Sequence, residues 1–77
     1  MNDSDFRELC KEGSLQQINE AIRNGANVNA RNNDGFTPLM FAAVRNPNPE
    51  ITKALIDGGA KVDARDAKGY TALMYGL

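Results

Sequence analysis

The chain has no histidine, one cysteine, no long apolar run and no excess of charge of either sign. Each shortage removes a class of function. Without histidine there is no Ser-His-Asp triad, no Cys-His pair and little chance of a zinc site. With Cys10 alone, no intrachain disulfide can form. Nothing approaches the roughly 18 consecutive apolar residues that span a bilayer. Nine Lys plus Arg against ten Asp plus Glu give a net charge of -1, so no cationic surplus draws the chain to nucleic acid or to a membrane surface. The N-terminal stretch MNDSDFRELCKEG is polar and acidic, unlike a secretory signal. An unpaired cysteine then points to a reducing compartment, and an intracellular, cytoplasmic location is expected. What remains, in 77 residues, is a single globular unit with 42% hydrophobic and 25% charged residues. Lacking disulfides, so small a chain must find its stability in packing.

The organising feature is an internal repeat. GANVNARNNDGFTPLMFAA (25–43) aligns with GAKVDARDAKGYTALMYGL (59–77) at an offset of 34 residues, and nine of 19 positions are identical. A period of this length means stacked supersecondary units. Thr37-Pro38 opens a helix, with Thr as N-cap and Pro preset for the first turn. Leu39, Phe41, Ala42 and Ala43 follow, and Asn46-Pro47 ends the run. A second helix begins at Asn48-Pro49-Glu50, carries Ile51, Leu55 and Ile56 at helical spacing, and stops at Gly58-Gly59. VDARDAKGY (62–70) reads as a hairpin-like β-turn projecting from the helices. The preceding unit repeats this grammar. Ser4 is expected to cap a helix with Phe6, Leu9 and Cys10, and Gly13 to break it. Ser14-Leu15-Gln16-Gln17 fits a capping box ahead of Ile18, Ala21 and Ile22, and Asn24-Gly25 closes the second helix.

FTPLMFAA (36–43) and YTALM (70–74) resemble the T-P-L-H-x-A-A of the ankyrin repeat family. GSLQQINEAIRNGANVNA (13–30) is similar to the family's G-H-L-E-I-V-x-x-L-L-x-x-G-A-D-V-N-A. The resemblance implies an all-α ankyrin solenoid of about two repeats plus the first helix of a third, forming one domain over 1–77. Its expected units are a capping-type repeat at 4–35, a full repeat at 36–69 and a truncated repeat at 70–77. Met40 and Met74 stand where the family has a histidine that helps tie neighbouring loops, so some rigidity should be lost. Ala72 replaces the expected proline. Asn46-Pro47-Asn48-Pro49 carries one residue more than the family's inter-helix turn, which accounts for 34 rather than about 33.

Leu9, Ile18, Ile22, Val28, Leu39, Ala42, Ala43, Ile51, Leu55, Ile56, Val62 and Leu73 are the expected core. The first unit reads as a cap, its first helix carrying Asp5, Arg7, Glu8, Lys11 and Glu12. The other end does not: Tyr70, Leu73, Met74, Tyr75 and Leu77 have no second helix over them. The chain is then a piece of a longer array, or its last helix is mobile, or another copy covers it. Self-association through 70–77 is the expectation.

A search for chemistry yields structural roles. Ser4 and Ser14 sit at helix starts without a base. Cys10 lies on an apolar helix face as a small core residue. Asp63 and Asp66 fall in the turn, where the ankyrin resemblance implies that they brace the loop. Gly58-Gly59-Ala60 follows a helix and lacks the phosphate-loop pattern. No enzyme activity, cofactor or metal is expected. The resemblance implies a scaffold that binds another protein through turn tips and the concave side of the first helices. Carried onto this chain, that surface comprises Arg31, Asn33, Asp34 and Phe36 with Val44 and Arg45, then Arg65, Ala67, Lys68 and Tyr70. Phe36 and Tyr70 are expected to stack one repeat apart. Arg31 and Arg65 recur in register, either as contacts or paired with Asp34 and Asp66. The alternative to a binding module is a self-assembling unit, a dimer or stack joined through the uncapped end.

Overall fold

A computed structural model describes residues 2–46 and 48–76. Its elements are α1 (Asp3–Glu12), α2 (Leu15–Arg23), α3 (Pro38–Arg45), α4 (Pro49–Asp57) and a single 3-10 turn at Leu73–Tyr75. The described residues contain no strand. Consecutive helices pair as α1 with α2 and α3 with α4. The two pairs lie side by side, α1 packing chiefly on α3 and α2 on α4.

Local sequence sets the helix limits. Thr37 Oγ1 accepts the Met40 N–H at 3.3 Å, and Pro38 occupies the first turn. Ser14 and Gln17 form the reciprocal capping box, with bonds of 3.2 and 2.9 Å. Asn48 caps α4 ahead of Pro49. The expected cap at Ser4 is corrected. Asn2 does that work, accepting the Asp5 N–H at 2.8 Å, and Ser4 lies inside α1. Both residue types cap well, and with Asn2 in place the helix starts two residues earlier. Asn46 terminates α3; Pro47, assigned the same task, lies outside the described residues.

Phe6, Cys10, Ile18, Leu39, Met40, Ile51 and Leu55 are the large or sulfur-bearing members of the buried cluster, which Ala21, Val28, Ala42 and Ala72 complete. Leu9 and Ile22 pack against it partly exposed. Three expected core residues are corrected: Ile56 and Val62 are exposed, and Leu73 is 69% exposed. The repeat explains all three. Their counterparts 34 residues earlier, Ile22, Val28 and Leu39, sit between the two pairs, whereas these three sit on the C-terminal face of the second pair. Met40 and Met74 show the same contrast at 0% and 61% exposure. The expected first helix of a third unit is likewise reduced to one 3-10 turn, because it has packing on one side only.

The two ends of the stack are chemically unlike. Ile51, Ala54, Leu55 and Gly58 belong to α4 and its cap, and Gly58 lies so near Ile22 that an added Cβ would meet Cγ2 at 3.0 Å. The same register in the first pair carries Gln17, Glu20, Ala21 and Asn24, a polar outer face.

Candidate functional site

Two turns project from the helical stack, and they are built alike. In the first, Asn32 Oδ1 accepts the N–H groups of Asp34 and Phe36, each at 2.9 Å. In the second, Asp66 Oδ1 accepts those of Lys68 and Tyr70, again each at 2.9 Å. A side-chain oxygen that gathers the N–H groups of its own turn is the local reason Asn and Asp occupy such positions. Backbone bonds Asn32 N–H to Phe36 O and Asp66 N–H to Tyr70 O close the two loops. These are the expected hairpin-like turns, though they never extend into strands.

The turns are then fastened to each other. The Ala67 N–H donates to Asp34 O at 2.9 Å, and Arg31 Nη2 donates to Arg65 O. Gly35 makes the approach possible: its φ is +75°, and a Cβ there would lie 3.0 Å from Ala67 N and 3.1 Å from the Asp66 Cα. Nearer the helices, the Asn29 amide donates to Gly59 O at 3.0 Å and accepts the Lys61 N–H at 2.8 Å. On the opposite side Asn46 Nδ2 donates to Gly13 O at 2.9 Å. Beside the backbone bond from Ala67 to Asp34, asparagine and arginine side chains supply the ties between units. Met40 supplies none: its sulfur accepts only the Thr37 N–H of its own helix start, at 3.5 Å.

The recurring arginines do not pair with Asp34 and Asp66. Arg31 reaches the next turn's carbonyl, and Arg65 turns back onto Gly69 O of its own loop at 2.8 Å. A guanidinium carries donors only, so an orphan turn carbonyl competes well with a solvated carboxylate. Among the described residues the single ion pair is Lys11–Glu8, on the surface of α1.

Phe36 and Tyr70 do not stack directly either, because Tyr75 stands between them. Ring centroids run Phe41–Phe36 at 4.9 Å, Phe36–Tyr75 at 5.0 Å and Tyr75–Tyr70 at 5.8 Å, all tilted or edge-on. Lys11 Nζ lies 5.7 Å from the Phe41 centroid and extends the row with a cation. Edge-to-face contacts of this kind add about 0.5–1.5 kcal/mol beyond buried area. Phe41 and Tyr75 are one repeat apart, as are Asn32 and Asp66. Where the ring carries a hydroxyl the turn residue is a carboxylate, and Tyr75 Oη donates to Asp66 Oδ2.

That bond dominates the site's electrostatics. It holds the Asp66 carboxyl below its usual range, helped by the Tyr70 and Lys68 N–H groups and opposed by burial. The Tyr75 phenol is pushed up to about 12, first by the bond to Asp66 and then by burial. Asp66 therefore contributes stability that is complete above pH ~4 and fades as acid protonates it below that value. Tyr75 contributes stability complete below pH ~10 and lost as pH rises through about 12. The melting temperature should fall across that alkaline window in the wild type. In Tyr75→Phe the part of the decline due to this phenol should be missing. Identical alkaline profiles for the two proteins would refute the role given to the hydrogen bond.

Of the surface residues expected from sequence, Asn33, Asp34, Arg45, Ala67, Lys68 and Tyr70 are exposed around the turn tips and the end of α3, as is Val44. Arg31 and Arg65 are exposed but engaged as braces, and Phe36 is half-buried in the aromatic row. Asn29, Phe41 and the Asp66–Tyr75 pair escaped the sequence reading. The matched exchange of Asn32 with Phe41 for Asp66 with Tyr75 was the signal that could have found the last. Cys10 is fully buried, and burial pushes its thiol up to about 12, which makes it a core residue rather than a nucleophile. No helix among the described residues is long and apolar enough to cross a membrane.

Helical pairs stacked in register, with braced turns on one side, define a repeat solenoid. The chain belongs to the ankyrin repeat family: the family model for ankyrin repeats in three copies matches residues 7–77. No curated protein matches it. Ankyrin repeats are in general protein–protein interaction modules and are typically non-catalytic.

Proposed function

We propose that this chain binds another protein through its turn tips and the adjoining concave side of α1 and α3. The observation that carries this reading is the fastening of the two turns into one surface by Ala67 N–H to Asp34 O and by Arg31 to Arg65 O. A loop whose backbone is held in advance loses less entropy on binding, so its exposed side chains hold a partner more tightly. Asn33, Asp34, Arg45, Lys68 and Tyr70 are the contacting residues in this reading. Phe36, Arg31 and Arg65 hold the turns that present them. An aromatic beside cations is a common composition for an interface anchor.

Affinity capture tests it. The wild-type chain should retain a protein that an Arg45→Glu/Lys68→Glu/Tyr70→Ala variant loses, while circular dichroism at the capture temperature shows both folded. Equal retention by both would exclude this surface.

A second reading is favoured by the C-terminal face, where Tyr70, Leu73 and Met74 are exposed around the half-buried Tyr75. Leu77, assigned to the same patch from sequence, lies outside the described residues. In this reading two copies meet face to face, since the polar register of Gln17, Glu20 and Asn24 at the other end is a poor receptor for an apolar face. Light scattering after size exclusion should give a mass that rises with concentration and returns to the monomer in Leu73→Glu/Met74→Glu. A monomeric mass throughout would end this reading.

A further inference from the structure

A cavity of about 240 Å³ opens between the two turns, lined by Asp34, Phe36, Asp66, Ala67, Lys68 and Tyr75. Small-molecule sites usually occupy about 300–1,000 Å³, so this one has the scale of a single side chain. Phe36 and Tyr75 give it aromatic walls, with ring centroids 5.0 Å apart. Asp34 and Asp66 give it two carboxylates. Asp66 is 7% exposed and is fully occupied on one oxygen by two N–H groups, while the other takes the Tyr75 hydroxyl. An ionised carboxylate has about four lone-pair sites in all, so three donors leave it able to accept one more. Asp34 is exposed, and among the described residues its carboxylate enters no ion pair. The guanidinium groups of Arg31 and Arg65 are engaged by backbone carbonyls, and neither lines the cavity. Lys68 is the one cation on the rim, and it is exposed.

We infer that this cavity receives an arginine side chain from the bound protein, the planar guanidinium lying against one of the aromatic walls and its N–H groups meeting Asp34 and Asp66. The inference rests on the reading that the turn-tip side contacts a partner, and it names the chemistry of that contact. Guanidinium suits both halves of the cavity: it stacks on rings and donates from a fixed fork, whereas ammonium is a compact and strongly hydrated point charge. An acidic side chain would meet two carboxylates against one mobile ammonium.

Amide chemical shifts of the full chain test this, with acetyl-Gly-Arg-Gly-amide as the probe and the matching Lys and Glu peptides beside it. The arginine peptide should move the Asp34, Phe36, Ala67 and Lys68 amides saturably. Asp34→Asn should weaken it roughly threefold, as suits an exposed charge pair, and Lys68→Ala should tighten it about twofold. Both positions are exposed, so neither variant endangers the fold. Equal shifts with the lysine or glutamate peptide overturn the inference, as does an arginine titration indifferent to both substitutions. Such a failure alongside capture that still depends on Arg45, Lys68 and Tyr70 would remove the arginine pocket alone. Loss of that dependence would remove the surface itself.

Discussion

Leu55→Ala lowers the melting midpoint by about 12–24 °C. Leu55 is fully buried in the cluster shared by both helical pairs. Truncating such a leucine costs roughly 2–5 kcal/mol in lost transfer energy and residual cavity. Whole proteins hold roughly 0.05–0.15 kcal/mol per residue, which for this chain means a total near 4–12 kcal/mol. At ~3 kcal/mol, and roughly 4–8 °C per kcal/mol for a domain of this size, the shift follows. At the lower end of that stability range about 1 kcal/mol remains, and roughly one molecule in six is unfolded at room temperature. Leu39→Ala should behave similarly, being 1% exposed in the same cluster. Ile56→Ala is the control: adjacent to Leu55 but 40% exposed, it should cost about 1 kcal/mol or less. Circular dichroism melts of the three variants decide the matter. A Leu55→Ala protein that melts with the wild type would mean that the two pairs do not share this core.

Gly35→Ala should cost more than Gly69→Ala by about 1–2 kcal/mol, although the two glycines occupy the same place in their turns. Both have positive φ, +75° and +82°. An alanine in that region loses roughly 1–2 kcal/mol to the contact between Cβ and carbonyl, which both variants share. The difference lies in the surroundings. At Gly69 an added Cβ finds nothing within 4 Å, whereas at Gly35 it meets Ala67 N at 3.0 Å and Asp66 Cα at 3.1 Å. Backbone cannot swing aside as a flexible side chain can, so the second turn must retreat and stretch the Ala67 N–H to Asp34 O bond. Denaturant melts measure the cost, and amide exchange at Ala67 should quicken in Gly35→Ala alone. Equal losses in the two variants would mean that the turns are not fastened together. The same retreat would widen the cavity between them, so Gly35→Ala should also impair binding at the turn tips without touching a contacting residue.

Repetition made the architecture readable. Thr37-Pro38, the Ser14–Gln17 box and Asn48-Pro49 are local signals, each satisfied within one turn of helix, and each stands where the sequence placed it. Ser4 was mistaken for a cap because two acceptable caps lie two residues apart, and helix starts are set by small local differences. Most of the buried faces of the four helices were legible, although Met40, fully buried in α3, was absent from the expected core. Ile56, Val62 and Leu73 were misread, because the repeat pattern records what a residue packs on between units and not which of its faces a neighbouring unit covers.

The turn-tip side was legible in outline and wrong in its pairings. The ankyrin resemblance located Arg31, Arg65, Phe36 and Tyr70 on one side of the stack. It could not tell that the arginines would take carbonyls in place of carboxylates, or that Tyr75 would enter between Phe36 and Tyr70. Those outcomes depend on which groups meet at about 3 to 6 Å after the chain has turned back on itself, a matter of three-dimensional register.

By itself, then, the sequence determined the four helices, the caps at Ser14, Thr37 and Asn48, the period of 34 and those buried positions that face a neighbouring unit, because each is set by signals a few residues apart repeated in register. Only the tertiary structure decided how the turns are tied, which oxygen takes the Tyr75 hydroxyl, and what the space between the turns could hold. Hydrogen bonds and ring contacts between units require distances that no linear spacing encodes.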